Sequence, residues 1–457
     1  MVGRRILFIV LGLLCLTALV SSTFATLPAI RGAGGIVTNC QTFYDGGGVA
    51  DTLGELLPYG GSILFGCSGT IFVPEMFIQA DTTLDGGNQS VTLSGSKTNR
   101  LFIVPIGGRL ELANLTVIDG YAGPGNGGAI NNAGTLVIRY SRLSNHQTQK
   151  SNYAQAGRIS SGYRPIVPMI TATYTGLYPT PTGDWQWVEP KGGTIYNSGS
   201  ASIINSVVSD GRAYRGGGIY STEDGRLTIT NSSISHNHDT AIISEGYLSI
   251  VSSTVDYNDG GAISASGTTV ITSSTISYNS NTIGCGGISA SGNTTINSST
   301  LAYNSTSWGS WSICGGAVKI ANSLIAGLSY SYRGNCSSKL IDLGFNLATD
   351  DTCGVTRIQF QQLHLAELAD NGGPTMTHAL GAGSIAIDAG SCAPGYDQRG
   401  ADFWRPIDVP LIGKRGNGCD VGAYEVQLPK RIVPVPRPTL HKPYGPPAPT
   451  PTSVTFP

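Results

Sequence analysis

Six ionisable residues stand at matching points of a repeated phrase: Asp210, His236, His238, Asp239, Asp256 and Asp259. Glycoside hydrolysis needs two carboxyl groups facing each other across a sugar, about 5 to 9.5 Å apart. Acidic and histidine side chains on neighbouring repeats could form one such patch. A lyase would instead want acidic calcium ligands and an arginine base, for which Arg212 and Arg215 are at hand. Exposed Asp and His at turns more often serve as solvated caps. The sequence therefore favours no catalytic residue, no cofactor and no metal, and keeps the six as the alternative, with calcium as their partner.

A second group could bind rather than react. Tyr163, Tyr174, Tyr178, Trp185 and Trp187 crowd an insertion at residues 147–191 that is also rich in proline. Long loops on a regular scaffold are commonly functional, and Tyr and Trp suit flat or sugar-like ligands. The competing role is packing of the loop onto the scaffold.

Both groups depend on the repeat that carries them. Gly127-Gly128-Ala129-Ile130, Gly192-Gly193-Thr194-Ile195, Gly217-Gly218-Ile219, Gly260-Gly261-Ala262-Ile263, Gly286-Gly287-Ile288 and Gly315-Gly316-Ala317-Val318 recur, each followed by alternating strand patterns. Spacings of about 20 to 30 residues signal a solenoid whose repeats cannot bury a core alone. The expected fold is an all-β parallel β-helix of about ten coils, a rod about 50 Å long. Glycine is expected to supply positive φ at the corners. Asn205, Asn231, Ser252, Ser273, Asn297 and Asn322 are expected to stack into hydrogen-bonded ladders. Residues 44–57, with Val49, Leu53, Leu56 and Leu57 at helical spacing, predict an amphipathic helix capping the first coil.

Only 12% of the 457 residues are charged, 63 are glycine, and the formal net charge is −1. Nucleic acid is excluded as a partner, since it would require a basic stripe. Arg4-Arg5, an apolar run to Val20 and the small residues to Ala25 read as a signal peptide over 1–25. No transmembrane segment is expected after its removal. Eight cysteines then remain, which suits an oxidising, secreted or cell-surface setting. Neighbourhood pairs Cys40 with Cys67, Cys285 with Cys314, Cys336 with Cys353 and Cys392 with Cys419, although spacing alone leaves other connectivities open. The organisation reads as a cap at 26–62, a β-helix at 63–335, a C-terminal module at 336–426, and a Pro-rich basic tail at 427–457 that cannot form a core.

The C-terminal module carries a specific resemblance. Asp370-Asn371-Gly372-Gly373-Pro374-Thr375-Met376-Thr377-His378-Ala379-Leu380, Gly383-Ser384-Ile385-Ala386-Ile387-Asp388-Ala389-Gly390, Asp397-Gln398-Arg399-Gly400, Arg405-Pro406 and Cys419-Asp420-Val421-Gly422-Ala423-Tyr424-Glu425 resemble the bacterial choice-of-anchor Q domain. Asn335-Cys336 with Leu343-Gly344-Phe345-Asn346-Leu347 matches the approach to it, and Val37-Thr38-Asn39-Cys40 resembles its N-terminal cap. The resemblance implies a secreted or surface right-handed parallel β-helix, akin to polymorphic outer-membrane-type proteins, without an established shared activity. A structural, adhesive or glycan-binding role follows, with cell-envelope or extracellular polysaccharide as partner. The chain departs from the family at its end, where Leu428-Pro429-Lys430 is no sortase motif. Parallel β-helices also host polygalacturonases and pectate lyases, which makes a polysaccharide-active enzyme the alternative. The paired-Asp and Gly-His-Gly motifs of polygalacturonases are missing. Asp388, Asp397, Arg399, Arg405, Asp420 and Glu425 are expected to form a buried ion-pair network rather than a calcium site.

Overall fold

The computed structural model describes residues 34–47, 50–148, 177–179, 185–187, 189–307, 311–327, 334–409 and 416–428. The expected signal segment, Val49, Tyr163, Tyr174 and the tail beyond residue 428 lie outside them.

The period-two alternation winds into a parallel β-helix of right-handed type with about 11 turns. Two 12-stranded sheets and one nine-stranded sheet form three faces, and every strand pairs with its equivalent one coil on. Arg226–Thr230 lies beside Tyr247–Val251 on the first face, Ser233–Ser235 beside Thr254–Asp256 on the second, and Ile219–Ser221 beside Ile242–Ser244 on the third. This register sets Leu227 over Leu248, Ile229 over Ile250 and Ile234 over Val255, all fully buried. Each such aliphatic side chain contributes about 1.5–3 kcal/mol of burial. A one-residue slip would turn the whole row outward, so the alternation fixes the register.

Two of the three corners depart from expectation. The sharp turns belong to non-glycine residues in the left-handed region: Asn205, Asn231, Ser252, Ser273 and Asn322 after first-face strands, and Asp210, His236, Tyr257, Tyr278 and Tyr303 after second-face strands, with φ between 46° and 57°. At the third corner glycine does supply the positive φ, as expected: 71° at Gly127 and 69° at Gly192, with Gly216, Gly261 and Gly315 likewise positive. Gly193, next to Gly192, is required for another reason: a Cβ there would overlap the carbonyl oxygen of Gly217 on the next coil. The Gly-Gly phrase therefore marks both a left-handed corner and a close passage of backbone between coils.

The polar ladder sits one residue beyond the expected positions. At Asn205, Asn231, Ser252, Ser273 and Asn322 the side chains stand at the left-handed turn, Asn297 precedes the turn residue Ser298, and the following residue faces inward. Ser206, Ser232, Ser253, Ser274 and Ser299 form the ladder. Each hydroxyl accepts the amide of the equivalent residue one coil earlier, as in Ser206 N to Ser232 Oγ and Ser232 N to Ser253 Oγ, both 3.1 Å. Each also donates to the carbonyl two residues back, as Ser232 does to Thr230 at 2.7 Å. The corner amide would otherwise be buried without a partner, at a cost of about 1–3 kcal/mol.

The predicted cap helix shrinks to Leu53–Leu56, followed by a 3₁₀ turn at Leu57–Tyr59. The Gly46-Gly47-Gly48 run disfavours helix upstream. Thr52 and Glu55 then form a capping box that fixes the start. Leu53 and Leu56 nonetheless bury against the first coil, in the same cluster as Val37 and Ile63. All four neighbourhood disulfides form, with Cα separations of 5.8, 5.9, 4.9 and 5.9 Å in chain order.

The rod runs past residue 335. Ile341–Asp342, Leu347–Ala348 and Thr356–Arg357 still extend the two long sheets. The module that follows has two short antiparallel pairs, Leu365–Ala369 with Thr377–Leu380 and Gly395–Tyr396 with Trp404–Arg405. Its apolar cluster joins Leu363, Leu380, Ile387 and Val421 to Leu324 and Ala326 of the last coils.

Candidate functional site

Three consecutive residues leave the second face at each corner, and their directions sort the predicted patch. The first, in the left-handed conformation, projects outward; the second points into the rod; the third begins the loop toward the Gly-Gly phrase.

The first position forms an outer ridge. His236, Tyr257, Tyr278 and Tyr303 stack ring on ring at 5.4, 5.0 and 4.9 Å. Asp210 occupies the equivalent turn one coil before His236. The second position is an interior ladder: Asn237, Asn258, Asn279 and Asn304 pass amide hydrogen bonds from coil to coil, with Asn237 N to Asn258 Oδ1 at 2.8 Å and Asn258 Nδ2 to Asn279 Oδ1 at 2.8 Å. His146 fills this position in an earlier coil, fully buried. Its Nδ1 accepts from Gly120 N at 2.8 Å, so the proton is on Nε2, which donates to the Val117 carbonyl at 3.1 Å. Burial lowers its pKa to about 3. Sequence reading missed His146, yet Arg142-Leu143-Ser144-Asn145-His146 parallels Ser233-Ile234-Ser235-His236-Asn237, and that alignment would have found it.

The third position forms a row along the rod axis. Isolated parallel bridges join Tyr121 to Gln147, Gln147 to Arg212 and Arg212 to His238. Arg212 Nη2 lies 2.7 Å from His238 Nε2, and His238 Nδ1 lies 2.5 Å from Asp259 Oδ2. A guanidinium can only donate, so Nε2 accepts and Nδ1 carries the proton toward Asp259. Asp259 also accepts the Asp239 amide through Oδ1 at 3.0 Å, while Asp239 Oδ1 takes the Thr240 amide at 2.5 Å.

Asp256 stands apart on the second face, 5% exposed, with Ser233 Oγ at 3.4 Å. Burial raises its pKa to about 6, opposed by His236 and the Ser233 hydroxyl. The six predicted residues therefore do not form one patch. His238, Asp239 and Asp259 are brought together beside Arg212, Asp210 and His236 lie on the ridge, and Asp256 is buried on the second face next to His236.

The insertion leaves and rejoins the rod at the third-position row. Thr148 N donates to Arg212 O at 2.9 Å on the way out, and Tyr214 N donates to Pro190 O at 3.2 Å on the return. Lys191 Nζ lies 4.6 Å from the centre of the Tyr220 ring, which stacks on Tyr196 at 5.8 Å. Within the insertion, Leu177–Pro179 and Trp185–Trp187 pair antiparallel, placing Tyr178, Trp185 and Trp187 on one hairpin.

The module's charges pair as a network. Arg399 meets Asp397 with Nε–Oδ2 at 3.0 Å and Nη2–Oδ2 at 2.6 Å, between the rings of Phe403 and Tyr424, each 3.8 Å away. Arg405 lies 3.4 Å from Glu425. Asp420 takes the Asp388 and Val426 amides at 2.9 and 2.6 Å, and Asp388 takes the Val409 amide at 3.1 Å. The module's leading edge lies over the second face. Gln398 bridges Thr254 and Thr275 at 2.9 and 2.6 Å, His378 meets Ser277 at 2.7 Å, and Ala423 N reaches Thr300 Oγ1 at 3.0 Å. Among the described residues, Asp45, Asp51 and Glu55 gather at the N-terminal cap, where Glu55 Oε2 accepts the Asp51 and Thr52 amides, each at 3.2 Å.

No sequence-family model matches the chain. No curated protein matches it either. Among solved structures, the crystal structure of pectate lyase Pel9A is similar at 12% identity, covering 86% of this chain and 96% of that one, with a TM-score of 0.43. In its own geometry the chain is a disulfide-bonded parallel β-helix.

Proposed function

We propose that the protein is a secreted or cell-surface rod of the choice-of-anchor Q kind that binds polysaccharide without cleaving it. Four disulfides support an oxidising, extracellular setting. The observation that carries the binding reading is the rooting of the aromatic insertion in the row Gln147, Arg212, His238. The row offers amide, guanidinium and imidazole groups, and the insertion it roots carries Tyr178, Trp185 and Trp187 on one hairpin, the mix of residue types that holds a hydroxylated ring. Against hydrolysis, the Asp259 carboxylate is already engaged by His238 and the Asp239 amide.

Asp256 favours one alternative, a polysaccharide-active enzyme. A carboxyl held at about 6 suits a general acid near neutrality. Incubating the protein with acidic and neutral polysaccharides, with and without calcium, and scoring both retention and new reducing ends or unsaturated uronates separates the two. Retention without cleavage, lost on deleting residues 150–188 while β-type circular dichroism persists, is the expected outcome. Cleavage abolished by Asp256→Asn would establish the enzyme instead.

A further inference from the structure

A cavity of about 320 Å³ opens at the corner between the second and third faces of the early coils, lined by Glu75, Thr98, Asn99, Arg100, Tyr121 and the backbone at 122–123. Its size is at the low end of the about 300–1,000 Å³ typical of small-molecule sites, enough for one compact ligand. The polar wall is held in place before any ligand arrives. Arg100 Nε donates to the Gly127 carbonyl at 3.0 Å and Nη1 meets Glu75 Oε2 at 3.3 Å, with the arginine side chain 11% exposed and the glutamate 45%. The pair neutralises itself, so the cavity offers no net charge to a phosphate or sulfate. Asn99 Nδ2 donates to Thr98 Oγ1 at 3.2 Å and Thr98 donates to the Gly95 carbonyl at 3.1 Å, which aims the Asn99 side chain and leaves its oxygen, the Glu75 carboxylate and the ring of Tyr121 toward a ligand.

We propose that this cavity is a subsite for one neutral sugar ring at the end of a bound glycan, an inference that rests on the glycan-binding reading above. Sugar rings present hydroxyls at their rim and C–H groups on a face, which matches fixed donors and acceptors around one aromatic wall. Tyr121 also begins the row that bridges through Gln147 to Arg212 and His238. Adjacent coils are about 4.8 Å apart, so the row leads from the cavity toward the insertion in steps comparable with an extended chain.

Saturation-transfer difference NMR on the full-length protein, with glucose, galactose, mannose, N-acetylglucosamine and, as a charged comparison, galacturonate, tests the subsite. At least one neutral sugar should bind, galacturonate more weakly, and Tyr121→Ala and Glu75→Gln should each weaken binding about tenfold, as loss of one ring or polar contact implies. Should Tyr121→Ala fail to fold, the near-isosteric Glu75→Gln decides. Absence of any neutral-sugar signal, preference for galacturonate, or binding unchanged in the variants overturns the subsite. Polysaccharide retained equally by wild type and Glu75→Gln would overturn the subsite while leaving the broader reading intact. A monosaccharide bound in the cavity with no polysaccharide retained would support the subsite and sink the broader reading.

Discussion

Replacing Arg399 by alanine should unfold the C-terminal module well before the rod. Arg399 and Asp397 are 3% and 0% exposed, and the guanidinium also donates to the carbonyls of Glu425 at 2.5 Å and Asn371 at 3.3 Å. Truncation leaves the Asp397 carboxylate buried without its cation, which costs about 3–5 kcal/mol. Loss of the Phe403 and Tyr424 sandwich adds about 0.5–2 kcal/mol. For a unit of this size each kcal/mol moves Tm by about 4–8 °C, so the module's transition should fall by at least about 12 °C. Differential scanning calorimetry reads this directly. The double change Asp397→Asn with Arg399→Met should be less damaging than the two singles together, because no charge is stranded. A module transition within about 4 °C of wild type in Arg399→Ala would refute the reasoning.

The C-terminal module and the early coil that buries His146 should respond oppositely to pH. Burial pushes Asp420 up to about 6 and, aided by Asp420, Glu425 up to about 7. Both hold a proton more tightly when folded, so the module's gain is full below about pH 4 and is lost as pH rises through 6 to 7. His146, lowered to about 3, contributes stability that is present above its unfolded value of about 6.5 and lost as pH falls toward 3. Hydrogen exchange by mass spectrometry, corrected for intrinsic rates, should show residues 377–426 better protected at pH 5 than at pH 8 and residues 116–147 the reverse. Asn258→Leu strands the Asn237 amide and removes the bonds to Asn279 and the Ile234 carbonyl, so urea unfolding should show a loss of about 3 kcal/mol.

Much of this architecture is legible in the residues. Gly192-Gly193 and its copies announce coil stacking, and the cysteine neighbourhoods match the observed pairs. The details fail where two adjacent polar residues compete for one direction. Asn231 and Ser232 both suit a ladder, and only the left-handed φ of Asn231 decides that Ser232 faces in. The same ambiguity scattered the Asp and His residues, since one step along the chain at a corner moves a side chain from ridge to interior to loop. The helix is shorter than its apolar spacing implies because Gly46-Gly47-Gly48 weakens its expected first turn and the Thr52–Glu55 capping box starts it at Leu53.

The module's grip on the second face has a mechanical consequence. Coils otherwise touch only their neighbours, so a pull on the chain beyond residue 428 would be expected to peel them off singly. Gln398, His378 and Ala423 instead fasten to the coils of Thr254, Ser277 and Thr300 at once. Tension entering from the C-terminal end is thereby spread as shear over several coils, and the rod resists unravelling from the end where a tether would act.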